Sequence, residues 1–257
     1  MNRQQAYRQL KQALAHLGPG EAEAEAREAL EVLCSVSMQD LLLAPGEELD
    51  EEQVLALQEL ACRRKAGAPL AYLLGSRAFY GMRFAVSQAV LIPRQETELL
   101  AERCIEIIQR KNLKTALDLC TGSGCIAICL AKHTAAAVSA SDISRDALAI
   151  AQGNAEKLGA DVHFFASDLL EKAQGPYDLI VSNPPYISDA EYAAIDAGVR
   201  EQEPALALRG GADGLTFYRR IAQQVPKYLA EGGQLALEIG YEQGEAVCRL
   251  LAEQGFD

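Results

Sequence analysis

At 257 residues the chain can form one large domain, or one domain with a small companion, and at 49% hydrophobic and 23% charged its composition is that of an ordinary globular protein. A net charge of −12 disfavours general affinity for the phosphate backbone of nucleic acid and makes a protein or small molecule the expected partner. No apolar run approaches the roughly 20 residues a membrane helix needs, and the N-terminus, MNRQQAYRQLKQAL, lacks the apolar core of a signal peptide, so no membrane association and a cytoplasmic location are expected.

Residues 1–75 read as helical throughout. Tyr7, Leu10, Leu14 and Leu17 form one apolar stripe, Ala22, Ala26, Ala29, Leu30 and Leu33 a second, and Val54, Leu57, Leu60 and Ala61 a third. Each stripe needs a partner, so the three helices are expected to pack on one another. Breaks are expected at Gly18-Pro19-Gly20, Pro45-Gly46 and Gly67 with Pro69, and Asp50 with Gln53 has the spacing of a capping box. The acidic run Glu21 to Glu28 reads as a solvated helix face. No catalytic constellation occurs here, which leaves recognition or docking as the role of this segment.

From Pro69 to Pro93 the pattern shifts to short strand-like runs. Phe79, Tyr80, Met82, Phe84 and Val86 around Gly81 predict a hairpin, placed over residues 76–93 as a linker. In LIPRQETELL, Leu91 to Leu100, Thr97 is the expected N-cap of a helix running to about Gln109, with Glu98 in its first turn.

From Lys114 the chain alternates strand and helix. Thr115 to Leu119 is a strand, CTGSGC (Cys120 to Cys125) a tight loop of small residues, and Ile126 to Lys132 a helix. A second strand, Ala137 to Ser141, ends at Asp142. A glycine-rich loop lets a ligand approach the backbone closely, and an acidic residue about 20 positions on can accept both hydroxyls of a ribose. The pattern predicts a nucleoside-binding α/β sheet. Its GSG spacing leans away from a dinucleotide pyrophosphate, and Thr121, Gly122, Ser123 and Gly124 suit the amino-acid part of a methionine-bearing nucleoside. A third strand, Val162 to Ala166, leads to Asp168 and Leu169, where an adenine would be flanked; a helix cap is the plainer reading of Asp168.

Tyr177 to Ser182 is the fourth strand, ended by Asn183-Pro184-Pro185-Tyr186. That tetrapeptide offers an amide with donor and acceptor, a rigid backbone with unspent carbonyls, and a stacking ring, a set suited to holding a planar NH2 group. A simple turn after a strand is the alternative. A helix over Leu215 to Leu229, a fifth strand over Gln234 to Ile239 and a helix over Glu242 to Gln254 complete the pattern. Seven scattered cysteines without a CxxC pair, and isolated His16, His133 and His163, predict reduced core thiols and no metal.

Taken together, LDLCTGSGCIAI, SASDIS and VSNPPYI resemble the class I, Rossmann-like S-adenosylmethionine-dependent methyltransferases that act on amino groups. PLAYLLGSRAFYGMRFAVSQAVLIPRQETELL, EPALALRGGADGLTFYRRI and GGQLALEIGYEQG are similar to the HemK/PrmC family of release factor glutamine methyltransferases. The resemblance implies an N-terminal helical bundle (1–75) that helps grip a class 1 peptide chain release factor, a β-hairpin linker (76–93) and an α/β catalytic domain (94–257). It implies that Cys120 to Gly124 cradle the methionine part of S-adenosylmethionine, with Asp142 on the ribose, Asp168 and Leu169 at the adenine, and Asn183, Pro184, Pro185 and Tyr186 holding the glutamine of a GGQ motif. Asn183, Pro184 and Tyr186 would carry the catalysis and Asn183 would also face the cofactor. Three departures stand out. Cys120 replaces a frequent glycine and would demand an ordinary φ; Leu169 stands at a position that can hold an aromatic in relatives; Gln95 replaces a usual proline of PRPxTE. A sheet of this kind normally closes with an antiparallel pair, so a C-terminal stretch beyond Asp257 is expected, or else an open sheet edge. The other enzymatic reading is an amino-methyltransferase of DNA or RNA using the same NPPY on a flipped adenine. A non-catalytic binding module is the third reading.

Overall fold

The computed structural model describes residues 1–195, 200 and 202–256; residues 196–199, 201 and 257 lie outside the description. The chain divides into two compact units, Met1–Ser76 and Arg77–Asp257.

The first unit is helical: α1 (Arg3–Ala13), α2 (Pro19–Cys34), α3 (Met38–Leu43), α4 (Glu51–Lys65) and α5 (Leu70–Leu74). Their ends follow from local chemistry. Asn2, Ser37 and Asp50 each cap a helix and are capped in return by Gln5, Asp40 and Gln53, so the Asp50–Gln53 capping box forms as the spacing predicts. Ala6, Leu10 and Leu14 are buried with Ala26, Ala29 and Leu30 and with Leu57 and Leu60. Tyr7 packs only partly, because Ala6 holds the centre of the α1 face. Arg64 of α4 forks onto Glu25 of α2 at 2.8 and 2.9 Å, and both side chains are largely shielded.

Strand β1 (Ser76–Phe79) begins at the last residue of the first unit and continues into the second, where β2 (Met82–Ala85) follows. The two turn residues, Tyr80 and Gly81, both have positive φ (49° and 73°), as a tight two-residue hairpin requires. Phe79 and Phe84 meet edge to face at 5.9 Å and are buried in the core of this unit. Asn154, 1% exposed on α8 (Arg145–Leu158), accepts the Ala85 N–H at 2.7 Å and donates to the Ala85 carbonyl at 3.0 Å, completing the edge of β2.

The central sheet has five parallel strands in the order β5 (Val162–Ala166), β4 (Ala137–Asp142), β3 (Thr115–Leu119), β6 (Tyr177–Ser182), β9 (Leu229–Leu237). Alternation divides the buried side chains: Ala116, Leu179 and Val181 face one core with α6 (Gln95–Lys111) and α7 (Cys125–His133), whereas Leu117, Leu119 and Ile180 face another with Ile221 and Val225. The chain moves outward from β3 through β4 to β5, then returns to lay β6 on the other side of β3. The strand order therefore reverses between β3 and β6, and their carboxyl ends frame the crevice where open α/β sheets bind ligands. A short parallel pair, β7 (Ile187–Ser188) with β8 (Arg209–Gly211), lies beyond it.

Several boundaries differ from the sequence reading. The helix placed over Leu215 to Leu229 is α-helical only over Thr216–Gln224; Pro226, lacking an N–H, turns Val225–Lys227 into a 3-10 segment. The fifth strand starts at Leu229 rather than Gln234, because Gly232 (φ 72°) and Gly233 are absorbed as an irregularity against β6. The last helix spans Gly244–Ala252.

Two substitutions test this framework. Asn154→Ala strands buried backbone groups and should cost about 2 kcal/mol, read as a lower urea midpoint at unchanged slope. Asp118, fully buried on β3, accepts Thr121 Oγ1 at 2.6 Å and the Ala127 N–H at 3.2 Å, and burial pushes its carboxyl up to about 7. Between the ordinary value of about 4 and that raised one, the unfolded chain has lost a proton that the folded chain keeps, so this group makes stability fall as pH rises. Asp118→Asn retains an acceptor for both donors and should flatten the decline between about pH 4 and pH 7 in paired denaturation curves. An undiminished decline in the variant would show that Asp118 is not its source.

Candidate active site

The loop leaving β3 must turn from a strand into the N-terminus of α7 within five residues. It does so with three left-handed residues, Cys120 (φ 57°), Gly122 (φ 55°) and Gly124 (φ 80°). The ordinary φ expected at Cys120 is not what forms. The Thr121 N–H is drawn onto the Ser141 carbonyl at the end of β4 (3.0 Å), which holds the preceding residue in the left-handed region at a cost of about 1–2 kcal/mol. At Gly124 a glycine is required twice over, since a Cβ would lie 3.0 Å from that of Ala151 on α8. Gly124 caps α7 and packs behind the loop. Asn154 reaches the loop too, donating to the Ser123 carbonyl at 2.9 Å.

Asp142 ends β4 and accepts the Gly122 N–H at 2.9 Å on one oxygen and the Ser144 N–H at 2.9 Å on the other. Burial raises its pKa, and these backbone donors pull it back. The Ser167 N–H donates to the Asp142 carbonyl at 3.0 Å and so carries the end of β5 alongside. Next come Asp168 and a buried Leu169 (φ 50°). Asp168 does not cap a helix: its carboxylate pairs with Arg220 at 2.8 Å.

The β6 end lies directly beside the β3 loop, because Leu119 and Ser182 are register partners and Ser182 Oγ donates to the Leu119 carbonyl at 2.8 Å. Asn183 and Pro185 follow and enter the same space as the loop. Thr97 is not the N-cap expected of it. The helix starts at Gln95 behind an extended Arg94 that pairs with the buried Glu203, leaving Thr97 in the first turn with its hydroxyl accepting from Asn183 Nδ2 at 3.3 Å. Gln95 is thus the first helical residue, where a proline also fits but no N–H partner is needed, so its substitution leaves the turn intact.

These groups enclose a cleft of about 320 Å³. Its walls include Cys120, Thr121, Gly122, Ser123, Asp142, Asp168, Leu169, Asn183 and Pro185; Gly124, Pro184 and Tyr186 are not among them. The sequence reading missed Phe217 and Arg220 from the Thr216–Gln224 helix, Arg94 and Thr97 from the start of α6, and Leu206 opposite. No spacing rule ties those stretches to the glycine loop, although all but Leu206 and Phe217 are polar groups within the motifs quoted above. Phe217 supplies an aromatic wall where Leu169 has none. Burial pushes the thiols of Cys120 and Cys125 up to about 12, so both are neutral packing groups.

Behind the cleft the NPPY backbone is buttressed. The Tyr186 carbonyl accepts Gln243 Nε2 at 2.9 Å, and Gln243 Oε1 accepts the Gly240 N–H at 3.0 Å. A Cβ at Gly210 would lie 2.8 Å from Tyr186 Cα and one at Gly214 2.4 Å from the Tyr186 carbonyl oxygen, so RGGADG packs backbone against backbone there. Pro184 and Pro185 are buried and Tyr186 half-buried, its phenol pKa raised by that burial. Among the described residues, the Pro184 carbonyl accepts no hydrogen bond. The Asn183 side chain lines the cleft, whereas Pro184, next in the chain, lies outside its walls.

The family model of the PrmC N-terminal domain matches residues 5–75 and that of the Methyltransferase small domain residues 95–212. The chain is 40% identical over 245 residues to the release factor glutamine methyltransferase of Geobacter sulfurreducens, covering 95% of this chain and 86% of that protein. To the Bordetella pertussis protein of the same name it is 43% identical, covering 92% and 88%. Among solved structures, a methyltransferase from Pyrococcus furiosus (TM-score 0.52, 19% identity, covering 78% of this chain and 87% of that one) and the hMettl16 catalytic domain (0.55, 15%, 83% and 78%) share the fold. This α/β chain belongs to the release factor glutamine methyltransferase family.

Proposed function

We propose that the protein transfers a methyl group from S-adenosylmethionine to the side-chain amide nitrogen of the glutamine in the GGQ motif of class 1 peptide chain release factors. One observation carries the reading: the tips of β3 and β6 are adjacent, so the small-residue loop and the Asn183 carboxamide open into one cleft. That cleft fits the nucleoside. Its volume falls in the range of small-ligand sites, about 300–1,000 Å³, Gly122 has open space where a Cβ would project, and Asp142 keeps lone pairs beyond its two backbone donors. In this reading Cys120 to Gly124 support the methionine part, Asp142 the ribose, and Leu169 with Phe217 the adenine, near Asp168. When bound, S-adenosylmethionine supplies an electrophilic methyl on a sulfonium and leaves as S-adenosylhomocysteine.

An amide nitrogen is a poor nucleophile because its lone pair is delocalised. The Asn183 oxygen and the Pro184 carbonyl each accept one N–H of the substrate amide and fix its nitrogen toward the cleft. Their attraction grows as positive charge develops on that nitrogen, which gives up one of its protons to solvent once the methyl has left the sulfonium. Tyr186 packs beside the amide plane, and Pro185 stiffens the turn. The N-terminal unit serves recognition of the release factor; on α3 it exposes Leu42 (73%) and Leu43 (85%), side chains suited to an apolar protein contact. Such a substrate places the enzyme in the cytoplasm. It also requires no direct nucleic-acid contact.

Two variants test the assignments. Asn183→Ala should lower turnover by roughly 10²–10³, the loss seen when one preorganised polar group is removed, while S-adenosylmethionine affinity by calorimetry stays within about twofold; undiminished methylation of release factor would overturn the role. Asp142→Ala should weaken cofactor binding about 10- to 100-fold, matching roughly 1.5–3 kcal/mol for a hydrogen bond to a charged group. The reading as a whole is tested with labelled methyl donor and purified release factor, using a GGQ glutamine→alanine substrate as control. Label in nucleic acid instead of protein would overturn it.

A further inference from the structure

The proposed chemistry needs the Asn183 oxygen, not its NH2 group, turned toward the substrate. A carboxamide is nearly symmetric in shape, so packing alone does not choose between the two. Thr97 does not choose either, because its hydroxyl can donate or accept. The group that can choose is Glu238, at the carboxyl end of β9 immediately beside Ser182. Its backbone is held on both sides: the N–H donates to the Ser182 carbonyl at 3.0 Å, and its own carbonyl accepts Tyr218 Oη at 2.9 Å. Its carboxylate faces the Thr97 hydroxyl and the Asn183 amide, whose donors pull its pKa down against the dominant upward push of burial. Oε2 is buried and, among the described residues, has no partner within hydrogen-bond geometry. Glu238 is not among the residues that line the cleft, whereas Asn183 is.

We infer that Glu238 is a positioning residue: an acceptor-only carboxylate that draws the Asn183 NH2 group inward, and so presents the Asn183 oxygen to the substrate amide. An ionised carboxylate repels the carboxamide oxygen and attracts its N–H groups, so the flipped arrangement is disfavoured while Glu238 carries its charge. The inference rests on the glutamine-amide reading above.

The test uses the full chain with Glu238→Gln, Glu238→Asp, Asn183→Ala and the double variant Asn183→Ala/Glu238→Gln, with release factor and S-adenosylmethionine. Glu238→Gln preserves shape but adds a donor, and should lower kcat about 10- to 100-fold, as a contacting pair can, with cofactor affinity within about twofold. In the Asn183→Ala background the same change should cost no more than about twofold, because the group it positions is gone. Glu238→Asp, shorter but still acceptor-only, should retain more activity than Glu238→Gln. Wild-type kcat in Glu238→Gln, losses that multiply in the double variant, or Gln outperforming Asp would each overturn the inference. A wild-type enzyme that does not methylate release factor would instead defeat the functional reading itself, so the two failures are distinguishable.

Discussion

The alignment of β6 on β3 is the constraint on which the site depends. It is stapled at both ends. At the amino end Asp178 accepts the N–H groups of Lys114 and Thr115 at 2.7 and 3.0 Å, and Thr115 Oγ1 accepts the Asp178 N–H at 3.0 Å. At the carboxyl end Ser182 reaches the Leu119 carbonyl. A slip of one residue would turn Leu179 and Val181 out of one core and Ile180 out of the other. The same register that fills two hydrophobic cores therefore places Asn183 next to the small-residue loop that follows β3. The placement of Asn183 is thus set first by burial of the sheet, with the Thr97 hydroxyl as a further contact at the cleft.

Around that pair, the acidic side chains act mainly on backbone. Asp142 ties the glycine loop to the start of α8, Asp118 holds the underside of the same loop, and Glu203 takes the Ile92 N–H and pairs with Arg94 to bring the segment before α6 across from Pro204 and Leu206. Buried carboxylates are costly unless such donors meet them, and their number around the cleft suits a site that must order several loops at once. It also suits a cationic ligand. The left-handed Cys120 belongs to the same bargain, since the strain at that residue is the cost of hanging the loop on the end of β4.

The stretches EPALALRGGADG and GYEQG have no chemistry that can be read from residue type. Within them Gly210, Gly214 and Gln243 lie behind Tyr186 and support the NPPY backbone, whereas Pro204 and Leu206 line the cleft. A glycine needed for close approach and a glutamine bridging two loops look, in a sequence, like any other glycine and glutamine. The same holds for Glu238, whose meaning comes from standing one strand away from Asn183.

What the amino-acid order determined by itself was local. Strand and helix alternation, the small-residue loop with its acid about 20 positions on, the Asp50 capping box and the NPPY stop of β6 are short-range consequences of residue shape, and they sufficed to name the fold and many of the residues that line the cleft. The tertiary structure decided what depends on contacts between distant segments: Arg220 rather than a helix end as the partner of Asp168, Phe217 as the aromatic wall, Arg94 with Glu203 setting the start of α6, and the left-handed turn at Cys120. Those contacts form only after β3, β6 and β9 have been brought side by side, and that pairing is driven by burial of the whole sheet, which no window of neighbouring residues encodes.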